Sequence, residues 1–395
     1  MKDLSFPTPM STIGRRTLLC TALAALAAGA SLPAAAQNTV RIGFHAPLTG
    51  FAAADGKSAR LGAELAVEQV NAKGGIGGKP IELVVYDDGG KPEEGVQVAN
   101  RLITQDKVVA VVSGSYSGPT RAAAPTFVRA KMPYISSYAI HPDITRAGDY
   151  AFRTSFTGEV QGRAGAKLVG ELLGKKKVVV LTLNNDFGQA LAIGFKEAAP
   201  KFGVTIAKEY TFAMGDRQFG PLVASVKADQ PDAIYASGYY FNAGPLVAQL
   251  RAAGVNVPVI GQEGYDGQKF IEIAGAAAEG VIITTSLDRD SPTAEARDFI
   301  KAFESSKGQP VDMVAASTHT AMWVLANAMN KAGTADAARL RDAIAATELT
   351  TSTGRISFNK LREVKKAVQN QVVKGGRWTR HSVIDDPVLL APPEQ

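Results

Sequence analysis

Cysteine is almost missing from this chain: Cys20 is the only one in 395 residues. No intrachain disulfide can form, and a four-cysteine metal site is excluded. Histidine is scarce as well. His45, His141, His319 and His381 stand apart from one another in no metal-ligand spacing, and each reads as a surface or hydrogen-bonded structural residue. Low-complexity tracts are missing too. With 46% hydrophobic, 20% charged and 7% aromatic residues, the composition is that of a folded globule rather than a disordered or collagen-like chain.

The longest uncharged run lies at the start, and no later apolar run approaches membrane-spanning length. Arg15-Arg16 precede residues 17–36, rich in Ala and Leu, which end in Ser31-Leu32-Pro33-Ala34-Ala35-Ala36 before Gln37. A charged stretch, an apolar stretch and a small-residue cleavage site make residues 1–36 a secretory signal peptide. Its alanine content and Pro33 argue against a permanent anchor. Arg15-Arg16-Thr17-Leu18-Leu19 resembles a twin-arginine export signal, although Gly14 and Cys20 depart from its flanks. Bulky Leu19 before Cys20 argues against lipidation. Cleavage removes Lys2, Arg15, Arg16 and Asp3, so the net charge of +6 falls to +4. So small and scattered an excess excludes a nucleic-acid partner.

The rest alternates. Apolar strands at 40–44, 81–86, 108–112 and near 134–135 are separated by helices at 58–71, 93–105 and 120–130. Near residue 150 the pattern restarts, with strands at 177–183, 205–210, 233–236 and 257–260 between further helices. Such alternation predicts an α/β fold of two similar lobes, each a mainly parallel sheet flanked by helices. The tail departs from it. After a strand at 280–285 come helices at 293–305 and 317–331, then short strands at 354–359 and 368–378 about a Gly375-Gly376 turn. It reads as material that crosses back to complete both lobes.

Lys73-Gly-Gly-Ile-Gly-Gly78 has the glycines of a nucleotide loop in the wrong order, after a helix and before a strand. It reads as a helix stop and turn. Ser113-Gly-Ser-Tyr-Ser-Gly-Pro-Thr120 has the right order, leaving a strand and opening a helix with Pro119 near its start. The hydroxyls of Ser115, Ser117 and Thr120 beside free amides suit a small anion such as a carboxylate. Plain capping explains the residues equally well. Tyr116 sits where a hydrolase elbow needs serine, so that reading fails. Asp87-Asp88 is not spaced as a calcium loop and reads as turn capping. In the second half, Asn184–Gly188, Ser237–Tyr240 and Gly261–Tyr265 all leave strands, at the carboxyl edge where α/β sheets bind ligands. Their aromatics either line that edge or fill the core. Glu263, between glycines, is a candidate counter-ion for an amine.

Arg41-Ile-Gly-Phe-His-Ala-Pro-Leu-Thr-Gly50, residues 62–88, Asn184–Gly188 and Gly261–Gly264 together resemble a periplasmic binding protein of the leucine/isoleucine/valine type, serving an ABC importer. The resemblance covers nearly all of the chain after the leader. It implies two lobes joined by three crossings around a ligand cleft, with 38–155 plus 286–350 in the first lobe and 156–285 plus 351–395 in the second. It implies a branched-chain or related apolar amino acid as ligand, a membrane permease as partner, a periplasmic location, no cofactor, no metal and no catalysis. Carried across residue by residue, the site comprises Tyr116 and Ser117 on the carboxylate loop, then Tyr138, Ala139 and Ile140. Phe187, Tyr239 and Glu263 follow in the second lobe, with Glu263 paired to the ligand ammonium. Ile140 replaces a threonine donor, and the family's disulfide positions match Gly90 and Tyr116. Aromatic acids or small amides are alternative ligands, and a ligand sensor without transport is an alternative role.

Overall fold

Val40-Arg-Ile-Gly-Phe-His-Ala46 forms β1 (Val40–Ala46), with Ile42, Phe44 and Ala46 buried on one face and His45 on the other. A strand buried on both faces belongs in the middle of a covered sheet, and β1 lies between two parallel neighbours. The computed structural model describes Met1 and residues 39–333 and 336–393. The signal-peptide assignment, with Cys20 and the twin arginines, lies outside the described residues.

The first sheet contains β1, β2 (Ile81–Asp87), β3 (Ala110–Ser113), β4 (Tyr134–Ser136) and β5 (Ala151–Arg153), in the order β2-β1-β3-β4-β5, all parallel. The second repeats that order with β6 (Lys177–Leu183), β7 (Thr205–Phe212), β8 (Ala233–Ala236), β9 (Val259–Gly261) and β10 (Ile282–Thr285). Its parallel part runs β7-β6-β8-β9-β10. β13 (Val368–Lys374) and β14 (Arg377–Ile384) extend it antiparallel, joined through Gly375 and Gly376 at φ 56° and 72°. Both residues of this tight turn need positive φ, which glycine adopts without penalty. The expected two lobes are therefore present, each a parallel-dominated sheet flanked by helices. The chain passes between the sheets after β5, after β10 and before β13.

Each sheet reverses its strand order at its first strand, between β1 and β3 and again between β6 and β8. At such a switch point neighbouring loops diverge and leave a crevice at the carboxyl ends. Helix Ala53–Ala72 ends as expected at the glycine turn: Gly75 N–H donates to Val70 O at 3.0 Å, at φ 72°.

Two of the differences from the sequence reading bear on the tail. The helix expected at 317–331 begins at Met313, because the Asp312 side chain accepts from the Ala315 amide at 2.8 Å and starts it early. A hairpin of β11 (Glu348–Thr351) and β12 (Gly354–Ser357) stands apart from both sheets. It is held to that helix by Thr320, whose hydroxyl is 3.1–3.2 Å from those of Thr351, Ser352 and Thr353.

Candidate functional site

The loop after β3 opens helix Ser117–Arg129 with Tyr116 at its N-cap, and no side chain caps that end. The first amides of this helix therefore stay available to an anion. Ser117 is buried, and its Oγ accepts from the Ile140 amide at 3.3 Å. The expected three-hydroxyl cradle is not formed. Thr120 Oγ1 lies 2.8 Å from Ser113 Oγ and donates to Ser115 O, so it is turned away, and Ser115 Oγ is buried without a partner.

In the second lobe, Asn185 accepts from the Gly188 amide at 2.8 Å, which caps helix Asp186–Ala198 and fixes Phe187 in its first turn. Asn242 Oδ1 accepts from the Tyr239 amide at 2.9 Å and sets that residue at the mouth of helix Tyr240–Ala252. Glu263 follows β9 on a single turn. A side chain on the next residue, Gly264, would place its Cβ 2.2 Å from Gly238 O, so the β8 and β9 loops meet only because glycine stands there.

These loops enclose a cavity of about 20 Å³ lined by Tyr116, Ser117, Tyr138, Ala139, Phe187, Tyr239 and Glu263. Asp55, Gly264, Met313 and Val314 complete the lining. Seven of the eight residues expected from the sequence thus meet at one place. Ile140 does not line the cavity: it is fully buried, and its contribution is the amide bond to Ser117. Ala139 borders the cavity, but its carbonyl is committed to Arg153 Nη1 at 2.6 Å. Tyr138 donates to Gly114 O at 2.6 Å and so braces the serine loop.

Aromatic rings fill most of the cleft. Tyr116 stacks on Tyr239 with centroids 4.2 Å apart, and Tyr239 stacks on Phe187 at 4.7 Å. The first pair reaches from one lobe to the other, as do Tyr240 Oη donating to Phe51 O at 3.0 Å and the 3.1 Å Arg121–Asp186 ion pair. A larger hollow of about 490 Å³ lies beside Trp323 and His319, away from the loops after the strands. There His319 Nε2 accepts from Trp323 Nε1 at 2.7 Å, and burial depresses its pKa to about 3, as for a neutral structural histidine. His45 is likewise structural, buried between Asp88 at 2.7 Å and Tyr134 at 2.9 Å.

The electrostatics of the central cavity are acidic. Glu263 is 2% exposed; Oε2 accepts a long 3.4 Å bond from Ser286, and Oε1 has no partner. Desolvation pushes its carboxyl up to about 8, against the attraction of Lys366. Lys366 is itself buried with Nζ unpartnered, and burial lowers it to about 7. Asp55 was not among the residues expected. Its Oδ2 accepts from Tyr116 Oη at 2.6 Å, and burial raises it to about 8, with Asp312 and Asp266 adding repulsion. Among the described residues no group of three or more acids, histidines or cysteines is arranged to hold a metal.

The model of the family described as periplasmic binding protein matches residues 39–373. A leucine-, isoleucine-, valine-, threonine- and alanine-binding protein of Pseudomonas aeruginosa is 31% identical over 84% of this chain and 88% of its own length. The solved structure of LivJ, a branched-chain amino acid transporter substrate-binding protein of Streptococcus pneumoniae in complex with isoleucine, superposes with a TM-score of 0.83. It is 31% identical and covers 88% of this chain and 99% of that one. A solute-binding protein of an ABC transporter of R. palustris, in complex with benzoate, has a TM-score of 0.80 at 26% identity, covering 87% and 96%. Fold, strand order and sequence agree, and the chain belongs to the periplasmic binding protein family.

Proposed function

We propose that the protein is a solute receptor that captures an amino acid between its lobes and delivers it unaltered to the membrane permease of an ABC importer. The observation that carries this reading is the pairing in one cavity of an uncapped helix N-terminus at Ser117 and an under-bonded buried carboxyl at Glu263. One end suits a carboxylate and the other an ammonium, so the pair reads a zwitterion from both sides. Branched-chain amino acids are the first candidates, since relatives named for binding them are about 30% identical. Residues 37–395 then work outside the cytoplasm, in the periplasm, after cleavage of the leader.

The mechanism follows from the geometry. A cavity of about 20 Å³ has room for little more than a water, so ligand entry requires the lobes to part and the Tyr116–Tyr239 stack to open. A ligand touching both lobes on reclosure favours the closed form by its differential affinity, and the permease recognises that form. Ser117 Oγ accepts from the Ile140 amide, a bond that suits a group placed for binding. In this reading the first lobe keeps residues 38–155 and 286–350. The Thr320 contacts to the hairpin and the Arg153–Glu363 pair favour adding the stretch up to 364.

A thermal-shift screen of amino acids, aromatic acids and small amides tests the reading. Stabilisation by at least one amino acid is expected, and stabilisation by benzoates alone would replace it with the aromatic-acid alternative that the ring stack also suits. Ser117→Ala is expected to weaken carboxylate ligands by about tenfold, the worth of one bond to a charged acceptor. Calorimetry in which wild type binds an amino acid and its amide equally would remove the carboxylate role from this loop.

A further inference from the structure

Asp55 is 8% exposed and lines the central cavity together with Glu263. Among the described residues its one hydrogen bond comes from Tyr116 Oη, which occupies Oδ2 at 2.6 Å. Among the described residues no lysine, arginine or histidine forms an ion pair with it. Its neighbours make matters worse for a charge. Asp266 is already committed to Arg289, and Asp312 accepts from Ser58 Oγ at 2.5 Å and from the Ala315 amide, so neither shields Asp55. Asp55 also lines a second cavity, of about 220 Å³, and is the one residue shared by both. That second cavity is bordered by the acids Asp266, Glu272 and Asp312 and by Lys57 and Lys269, the latter tied to Glu272 at 2.6 Å. A carboxyl in this position is costly to bury unless something donates to it.

We infer that Asp55 is a specificity-determining residue: it selects, among amino acids, ligands whose side chain ends in a hydrogen-bond donor over alkyl side chains of the same size. The inference rests on the receptor reading and deepens it, moving the preferred ligand within the amino acids from alkyl side chains to donor-bearing ones. Ser117 and Glu263 hold the two ends common to every amino acid, while Asp55 meets what differs. A hydroxyl or amide donor answers the open lone pairs of Asp55, and an ammonium or guanidinium reaching toward the second cavity answers its charge as well. An alkyl end leaves the carboxyl without a second donor in a site from which closure has expelled water. Sites built to bond a polar group reject analogues that lack it far more strongly than apolar pockets reject an extra methylene. Tyr116 donates to Asp55 from within the same lobe, and this bond orients the selecting carboxyl.

Near-isosteric pairs isolate the effect. Calorimetric affinities of the full mature chain are compared for threonine against valine and asparagine against leucine, with lysine and ornithine as cationic probes. Wild type is expected to favour the donor-bearing member of at least one pair by about tenfold. Asp55→Leu is expected to reverse that ratio, and Asp55→Asn, which keeps the shape, to cut the preference for the cationic probes. The ratio within a pair does not move if Asp55 serves only to hold the fold, and thermal melting of each unliganded variant checks that it is folded. Leucine and valine binding as tightly as their partners in wild type, with an unchanged ratio in Asp55→Leu, would overturn this inference and leave the receptor reading standing. Failure of every amino acid to bind wild type would overturn both.

Discussion

Glu263→Gln is expected to lower amino-acid affinity by two to three orders of magnitude while leaving the unliganded protein at least as stable as wild type near pH 8. The reasoning starts from a carboxyl that is 2% exposed, with Oε1 unpartnered. Truncating one partner of a buried charge pair costs about 2–5 kcal/mol of binding, because the other charge stays buried and unanswered. For the free protein the sign is opposite. Burial raises the Glu263 carboxyl from 4.5 to about 8, so between those values the folded state holds a proton that the unfolded state has lost. Stability therefore falls as pH rises from about 4.5 to about 8, and glutamine removes that slope. Lys366, lowered by burial from 10.5 to about 7, acts over the next window, where stability rises with pH. In the variant Lys366 loses the attraction of Glu263, so its limb moves to lower pH. Ammonium binding needs the ionised carboxylate, so wild-type affinity should climb from pH 6 to 8 and the variant's should stay flat. Calorimetry at pH 6, 7 and 8 reads both effects. Equal affinities of the two proteins at pH 8 would remove the ammonium role from Glu263.

The legible part of this molecule was the part written as local pattern. Strand and helix alternate in sequence because each buries a face against its neighbour, and the loops after β3, β6, β8 and β9 announced themselves by glycine, serine and asparagine where apolar runs stop. Those loops carry Tyr116, Ser117, Phe187, Tyr239 and Glu263, whereas Tyr138 and Ala139, after β4, were reached only through the family resemblance. Asp55 was reached by neither route. It sits in the first turn of helix Ala53–Ala72, where an acid ordinarily favours the helix dipole, and nothing local says that this turn is buried. An acid between alanine and glycine ahead of an inward-facing stripe is the signal that was available. Ile140 was misplaced for a related reason. Its loop reaches the site, but Arg153 draws the Ala139 and His141 carbonyls the other way. Contacts of this kind join residues far apart in the chain and leave no periodic trace.

Arg153 sets up the second large effect. It is fully buried at the end of β5, and every nitrogen of its guanidinium is engaged. Nε donates to Glu363 Oε2 at 2.8 Å and Nη2 to Oε1 at 3.0 Å, a two-pronged pair, while Nη1 reaches Ala139 O and Nη2 also reaches His141 O at 2.8 Å. Thr145 Oγ1 donates to Glu363 Oε1, so the carboxylate is answered from two elements. Glu363→Leu or Arg153→Met leaves the other charge buried without its counter-ion, which costs about 3–5 kcal/mol of unfolding free energy. The double variant is expected to recover most of that loss, because both desolvation penalties disappear together while apolar side chains fill the space. Urea denaturation of the four proteins measures the cycle through the shift in midpoint at constant slope. Arg153→Met has a further consequence at the site. Freeing the Ala139 and His141 carbonyls loosens the loop whose Ile140 amide bonds Ser117, so amino-acid affinity should fall in this variant more than in Glu363→Leu, where Arg153 still holds both carbonyls. A loss of less than about 1 kcal/mol for both single changes would mean that water answers the stranded charge, and the pair would then join the weak surface bridges rather than the buried frame at the end of β5.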